Sequence, residues 1–571
     1  VTLAVTTNGC SGRSPTAPAP VVTFDLPQPD DAGRFKVDDA FKVVVPLADR
    51  AELDQAHIRC VGEQLYDVIA ARLGQAPVDL PWDDALTRAW LSLDAWVTDF
   101  LRDTAQTLES LNWLAEQTHL RSLLLPEGAP VIAPGQRGRV CPFETPEGPN
   151  IGRVLRVALG ADIRDGKLVV LDARPQAVMG LSAAMIPFLE HNDPNRTLMG
   201  ANMLRQWIPQ STPEPAWVQT GNEPDAARFW NGRNLLTAFV SWGAWTFEDG
   251  LVISESCAQR FDTPYPLHIG DKMSNRHGTM GVVGQILPDA AMPHLPDGTP
   301  VDIVYNFANL HRRLNFGQIR EAVMGRIAQR EGRPVIVPPF EALSADALRA
   351  RLAEVGLPDS GMETLTVGKN GPALEQPSTA GYVYWGRLVH LAQDKLLVYM
   401  DGPWGQVQGE MENFMLRDLG AFENIRENLN TRAARRPDSA TLAARVAAGT
   451  VEQAAPPTPL FADLTRRLRV AGIEAALGGD KLAFRFAPPA ADALKLARPV
   501  PHPWLPGRQL TEIGVPGVLG EGDDDILNLL WPPGGWQPLP ETSPAVYTAL
   551  VEANDRLARM LEGRAPQKLV E

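Results

Sequence analysis

LLTAFVSW at residues 235–242, GDKMSNRHGTMG at 270–281 and PVDIVYN at 300–306 lie in one stretch, 230–306, where short β-prone runs alternate with turn signals. That alternation predicts a β-rich core. Upstream, residues 54–73 and 87–114 carry apolar positions at three- and four-residue spacing and read as helices, and 131–179 reads as loops and short strands. Downstream, helical patterns return at 316–330, 344–355, 411–430 and 460–476, and a last one at 544–562 puts Val546, Leu550, Leu557 and Leu561 on one face. Mixed α+β is the class these patterns predict. Proline-rich joints separate them at 15–30, 209–215, 455–459 and 488–506.

With 571 residues the chain has room for several cores, and 44% apolar with 21% charged residues is an ordinary globular balance. The net charge of −15 excludes a small protein that coats DNA by bulk positive charge, so a nucleic-acid site has to be a local cluster of Lys and Arg. Cys10, Cys60, Cys141 and Cys257 stand far apart with no CxxC pair, which argues against a disulfide framework and against zinc. No apolar run has transmembrane length, and the opening VTLAVTTNGCSGRSP lacks a basic leader segment, so the expected location is the cytoplasm, with no membrane partner.

Three segments carry chemistry. In GDKMSNRHGTMG, glycines 270, 278 and 281 free the backbone for tight turns, while Lys272, Arg276 and His277 bring cationic or donor groups together, as a phosphate-rich ligand requires. A Gly-rich surface turn fits the same pattern. In TFEDGLVISES, from Thr246, the adjacent carboxylates of Glu248 and Asp249 suit a hard divalent cation, and equally a solvated turn. In IPFLEHNDPNRTLMGANMLRQWIP, from Ile186, the stretch holding Arg196, Asn202, Arg205 and Gln206 suits phosphate recognition by arginine's planar fork. Burial of an arginine against Glu190 or Asp193 is the competing reading.

Their order and company decide between these readings. RVCPFETPEGPNIG at 139–152 resembles a signature of the beta subunit of bacterial RNA polymerase, and the three segments follow it in that family's order. The resemblance runs on through IRCVGEQL at 58–65, NWLAEQTHLR at 112–121, GTPVDIVYN at 298–306, RRLNFGQI at 312–319, EQPSTAGYVYWGRLVHLAQDK at 375–395, GEMENFMLRDLGA at 409–421 and PPTPLFADLTRRLRVAGIEAAL at 456–477. LKLARPVPHPW at 494–504 and SPAVYTALVEANDRLARMLEGRAP at 543–566 resemble the early part of the beta-prime subunit, as in a fusion.

The resemblance implies a double-psi β-barrel core with a hybrid-binding region and helical segments, lacking the flap and most of the lobe and protrusion. Its parts would be a Pro-rich segment at 1–50, a helical fork and rifamycin-pocket-like region at 51–135, a region with the ETPEG and nucleotide-side arginine motifs at 136–230, the barrel and hybrid-binding region at 231–400, an anchor or clamp-like region at 401–485, and the beta-prime-like segment at 486–571. By matching position, Lys272, Arg313 and Arg196 would face the nucleotide, and Glu248 with Asp249 would stand beside a second, substrate-associated magnesium. Glu147, Asn150, Arg205, Gln206, Arg276, His277, Asn315, His390 and Lys395 would contact substrate or nucleic acid. The implied activity is template-directed RNA synthesis from NTPs on DNA. Magnesium would be held mainly by a beta-prime-like partner chain carrying an alternating Asp triad, with alpha-like and specificity subunits as further partners. Asp523, Asp524 and Asp525 are consecutive and do not match that triad.

A non-catalytic nucleic-acid-binding or polymerase-assembly module is the competing function, favoured by Met280 where the family has a second lysine. An unrelated metal-dependent nucleotidyltransferase would leave the ordered motifs unexplained. Leu120, Ser122 and Leu124 replace polar or basic residues of the family's rifamycin pocket, so the assembled enzyme is expected to resist rifamycins. Inhibition titrations should show no nanomolar potency.

Overall fold

The computed structural model describes residues 28–75, 90–129, 132–395 apart from 244, 247 and 248, and 408–427, with only the backbone of short strands and the helical Thr465 beyond them. Contacts divide the chain into one unit of residues 1–398 with 407–415 and a second of 399–406 with 416–571.

Six strands dominate the first unit: β1 (Gly232–Phe239), β2 (Gly250–Ser254), β3 (Lys272–Asn275), β4 (Met280–Leu287), β5 (Ile303–Tyr305) and β6 (Ser378–Arg387). They are hydrogen-bonded in the order β1-β5-β2-β4-β3-β6, and β6 returns to β1 through seven residue pairs from Gly232↔Gly386 to Ala238↔Ala380, closing a barrel. β1 with β5 and β2 with β4 run parallel, and the other neighbours are antiparallel. Closure leaves no edge among the six, which removes a template for aggregation.

Every residue of β1 and β2 is buried, so both faces of these strands are covered. Successive side chains still alternate. Leu235, Phe239, Leu251, Ile253, Met273, Val283, Ile303, Tyr305, Val383 and Trp385 fill one apolar cluster, while Leu236, Ala238, Val252, Val304 and Ala380 enter another. Thr237 sits on the inner side and accepts from Trp385 Nε1 at 3.0 Å, so the indole N–H inside the barrel is satisfied.

Three helices position side chains around the barrel: α1 (Pro194–Leu204), α2 (Phe307–Arg313) and α3 (Gly317–Glu331). Asp193 caps α1 by accepting from Asn195 N, and Pro194 occupies its first position, where a missing N–H costs nothing. α3 lies directly on β6. A Cβ on Gly381 would fall 2.0 Å from the Ala322 carbonyl oxygen, and one on Gly325 would fall 2.4 Å from that of Tyr382.

Ahead of the barrel, Leu47–Ala48, Ile58–Arg59, Ser122–Leu124 and Val154–Arg156 form a four-stranded sheet, beside helices Val61–Leu73, Leu93–Thr104 and Trp113–Leu120. The single helix expected over 87–114 is broken: Ala105 is extended, and Asn112 starts a new helix by accepting from Ala115 N at 2.8 Å. The helices expected at 316–330 and 344–355 are present as α3 and Ala345–Glu354. In the second unit, residues 473–476 of the helix expected over 460–476 belong instead to a strand, Ile473–Gly478, paired with Lys481–Phe486, while Thr465 is helical and the other residues of 460–472 lie outside the described residues. The expected helix at 544–562 lies outside the described residues. No helix among the described residues is long and apolar enough to cross a membrane.

Because the α3–β6 contact has no room for a side chain, Gly381→Val should destabilise the chain by about 3 kcal/mol, with Gly381→Ala milder, measured by urea unfolding.

Candidate active site

The segment Gly270–Gly281 forms β3, a turn and the start of β4, and adjacent residues in it are sent to opposite environments. Asp271 and Arg387 are fully buried and paired at 2.6 Å. Asp271 also accepts from His268 N and Ala392 N, and Arg387 lies 4.5 Å from the centre of the Tyr265 ring. Such a pair is costly to desolvate; the backbone N–H groups on Asp271 and the Thr263 and Tyr265 carbonyls on Arg387 Nη1 offset that cost and fix the backbone under Lys272, while Arg387 Nε has no hydrogen-bond partner among the described residues. Lys272 itself is half-buried, and its N–H donates to the His390 carbonyl at 3.2 Å.

Lys272 shares its surroundings with His390 and Lys395. Lys395 Nζ lies 3.4 Å from His390 Nδ1, and His390 Nε2 lies 3.2 Å from Gln206 Oε1. Burial, then Lys395 and Lys272, hold the His390 pKa below its ordinary value, so the imidazole is neutral near neutral pH. With Nδ1 facing the ammonium, Nε2 carries the proton and donates to Gln206.

A second cluster joins α1, α2 and the loop before β2. Arg313, at the end of α2, pairs with Asp249 and has Nη1 3.4 Å from the Tyr305 hydroxyl. Arg196, on α1, donates to the Gly278 carbonyl at 3.5 Å and to Met199 Sδ at 3.2 Å. Burial and then the nearby Arg313 lower the Arg196 pKa, while burial pushes the Tyr305 hydroxyl up to about 12. The two clusters flank β4: Lys272 pairs in register with Val282, whose N–H donates to the Asp249 carbonyl at 2.9 Å. The structure therefore assembles Lys272, His390, Lys395 and Gln206 in one group, and Arg196, Arg313 and Asp249 in another. Glu248 lies outside the described residues.

Arg276, His277 and Asn315, expected to contact nucleic acid or substrate, point inward instead. Glu321, on α3, takes Arg276 Nη2 at 2.7 Å and His277 Nε2 at 2.5 Å, and accepts from Tyr384 N at 2.9 Å. Burial alone would raise the Glu321 carboxyl, but Arg276 and His277 more than reverse this and hold it below the usual range. Asn315 donates to the His277 carbonyl and to Thr279 Oγ1 at 3.1 and 2.9 Å. A guanidinium in a buried environment is stable only beside a carboxylate, and Glu321 supplies it.

Arg205 is likewise drawn in, donating to Asn202 Oδ1 at 2.5 Å and facing Glu109 at 3.6 Å with its side chain 11% exposed. Glu147 and Asn150 remain exposed on the 145–151 loop, while Glu144 of the same motif is buried and accepts from Ala183 N at 2.9 Å. The sequence reading missed Asp271, Glu321, Arg387 and Asn192, which carry the buried polar framework. It also missed Arg156, buried and donating to Ser122 Oγ.

A hard divalent cation takes about six oxygen ligands, and among the described residues no group of three or more His, Cys, Asp or Glu converges. Asp249 is already bound to Arg313. On the described residues this chain can supply only a minor share of a magnesium shell.

A closed barrel flanked by two clusters of cationic side chains is the arrangement the described residues build. Residues 262–409 match the family model described as RNA polymerase Rpb2, domain 6, and residues 106–163 match that of RNA polymerase Rpb2, domain 3. The first holds Lys272, Arg276, His277, Arg313, Asn315, His390 and Lys395, and the second holds Glu147 and Asn150. The chain is similar to DNA-directed RNA polymerase subunit beta of Solibacter usitatus (strain Ellin6076), 38% identical over 182 residues, covering 29% of this chain and 13% of that protein. The subunit of the same name from Chloroflexus aggregans (strain MD-66 / DSM 9485) is 38% identical over 179 residues, covering 29% and 15%. That of Rhodopirellula baltica (strain DSM 10527 / NCIMB 13988 / SH1) is 37% identical over 186 residues, covering 30% and 15%. The chain is beta-subunit-like over these regions, and the matched part spans only 13–15% of the length of these relatives.

Since the folded-state pKa of Glu321 is depressed, its contribution to stability is present above the unfolded glutamate pKa of about 4.3 and is lost as pH falls below it. Glu321→Gln should therefore cost about 3–5 kcal/mol near pH 7, and the gap to the native chain should narrow only as pH falls below about 4.3 in urea unfolding.

Proposed function

We propose that this chain is a beta-type subunit of a DNA-directed RNA polymerase, contributing fixed cations to a nucleotidyl-transfer site completed by a partner. The observation that carries the reading is the placement of Lys272 on one side of β4 and of the Arg196, Arg313 and Asp249 group on the other. The two family matches support it. On this reading the closed barrel is of the double-psi kind, which the parallel pairing of β1 with β5 and β2 with β4 supports, and the short connection 255–271 stands where the family carries its flap.

Transfer of a nucleotidyl group develops charge on the α-phosphate and the leaving pyrophosphate, so preorganised cations lower the barrier. Arg196 and Arg313 would orient the triphosphate, Lys272 would neutralise charge as it develops, and neutral His390 would donate a hydrogen bond through Nε2. Magnesium, carried mainly by the Asp triad of a beta-prime-like partner with Glu248 and Asp249 alongside, would supply Lewis-acid stabilisation of the same charge. Residues 486–571 would be the beta-prime-like segment, and DNA, RNA, NTPs, alpha-like and specificity subunits the remaining partners.

The second reading, a nucleic-acid-binding or assembly module without catalysis, is favoured by Met280. Primer extension on a DNA template with the co-purified complex separates the two. The polymerase reading expects extension, and expects Lys272→Ala or Arg313→Ala to lower kcat/KM for NTP by about 10–100-fold, the loss of one charge-assisted contact, while scaffold binding persists. Binding with no extension by the native complex would establish the module instead.

A further inference from the structure

The residue that ties the site's moving parts together carries no charge. Asn192 lies between the last 3-10 turn before α1 and the Asp193 cap. Its side-chain Nδ2 is 3.0 Å from His277 Nδ1, and its Oδ1 accepts from Gly317 N at 3.0 Å. Glu321, held ionised, can only accept from His277 Nε2, so that nitrogen carries the proton and Nδ1 accepts from Asn192. The Asn192 backbone forms a bridge to Asn315, and the next N–H, of Asp193, donates to the Leu314 carbonyl at 2.9 Å.

Three segments meet at this amide. One is α1, which begins two residues later and bears Arg196. Another is the α2–α3 junction, where Arg313 is followed by Leu314 in the left-handed conformation, φ 53°. The third is the turn from β3 to β4, held through His277. Leucine is disfavoured at positive φ, and Leu314 is also 51% exposed, so its own side chain has little reason to adopt that shape. The bonds to residues 192 and 193 hold it there. Gly317 must be glycine for the same joint, because a Cβ would fall 2.6 Å from Asn192 Oδ1 and 2.8 Å from His277 Nδ1.

We propose that Asn192 is a positioning residue that sets the spacing of Arg196 and Arg313 against each other and against the β3–β4 hairpin. It touches no substrate and acts through those two guanidinium groups. The inference rests on the polymerase reading above and names the element that makes the arginine pair a preorganised clamp.

The test is single-nucleotide addition by the co-purified complex, comparing native chain, Asn192→Ala, Arg196→Ala/Arg313→Ala and the triple variant. Asn192→Ala should raise KM for NTP about tenfold with kcat changed less than about twofold, because mispositioned phosphate contacts weaken binding. Adding Asn192→Ala to the Arg196→Ala/Arg313→Ala variant should cost no more than about twofold further, since the two groups it acts through are then already gone. If alanine prevents folding, Asn192→Asp, which keeps the acceptor for Gly317 N, should raise KM by about threefold. Extension by the native complex with KM unchanged in the folded variants, or with the two losses multiplying, overturns the inference alone. Failure of the native complex to extend overturns the polymerase reading, and the inference falls with it.

Discussion

The Glu321 carboxylate is the contact on which this architecture depends. It sits on α3, is 1% exposed, and takes a guanidinium, an imidazole and the N–H of Tyr384 on β6. A single buried charge thereby joins helix, barrel wall and hairpin turn. Isolated in a low-dielectric interior it would be driven to protonate, so Arg276 and His277 are required by Glu321 as much as it is by them. The same hub fixes the imidazole tautomer, and that tautomer is what lets Asn192 donate to Nδ1. Stability and site geometry are one problem here.

A second buried pair, Asp271 with Arg387, does for the other end of the hairpin what Glu321 does for the turn. Residues 271 and 272 are neighbours in the chain with opposite fates: the aspartate is sealed in the core, and the lysine stays half-buried with its charge available. Strand alternation makes that division cheap, because successive side chains leave opposite faces. A cation mounted on a rigid strand is held in place better than one on a loop, and would lose less freedom on binding.

The barrel was legible in its β-prone runs, and α3 and the helix at 345–354 in their periodicity. The sequence gives no periodic sign of a closed barrel, however, since β1 and β2 are buried on both faces: β2 is nearly all apolar, and β1, GRNLLTAF, mixes Arg233, Asn234 and Thr237 with apolar residues in no strict alternation. Among the site residues, composition marks Lys272, Arg313 and Arg196 as cations but cannot say which arginine faces in. Arg276 and Arg313 look alike in the sequence. What separates them is a partner far along the chain, Glu321 for one and Asp249 for the other, together with the degree of burial around each. Asn192 carried no signal because an uncharged amide acquires a role only when three segments distant in sequence converge on it. The strand at 473–478 was lost for a different reason: its Glu474, Ala475, Ala476 and Leu477 suit a helix, and only the pairing with 481–486 makes them a strand.

Met280 follows from the same electrostatics. It is half-buried at the start of β4 and packs against a cluster that includes Met203, Leu204 and Trp207. Two residues earlier in the turn, the Gly278 carbonyl accepts from Arg196, whose pKa is already lowered by burial and then by Arg313. An ammonium at position 280 would add a third cation to a neighbourhood whose carboxylate, Asp249, is committed to Arg313. Like charges brought near one another repel by amounts that burial magnifies. A methionine fills the apolar space and spares the Arg196 and Arg313 neighbourhood that repulsion.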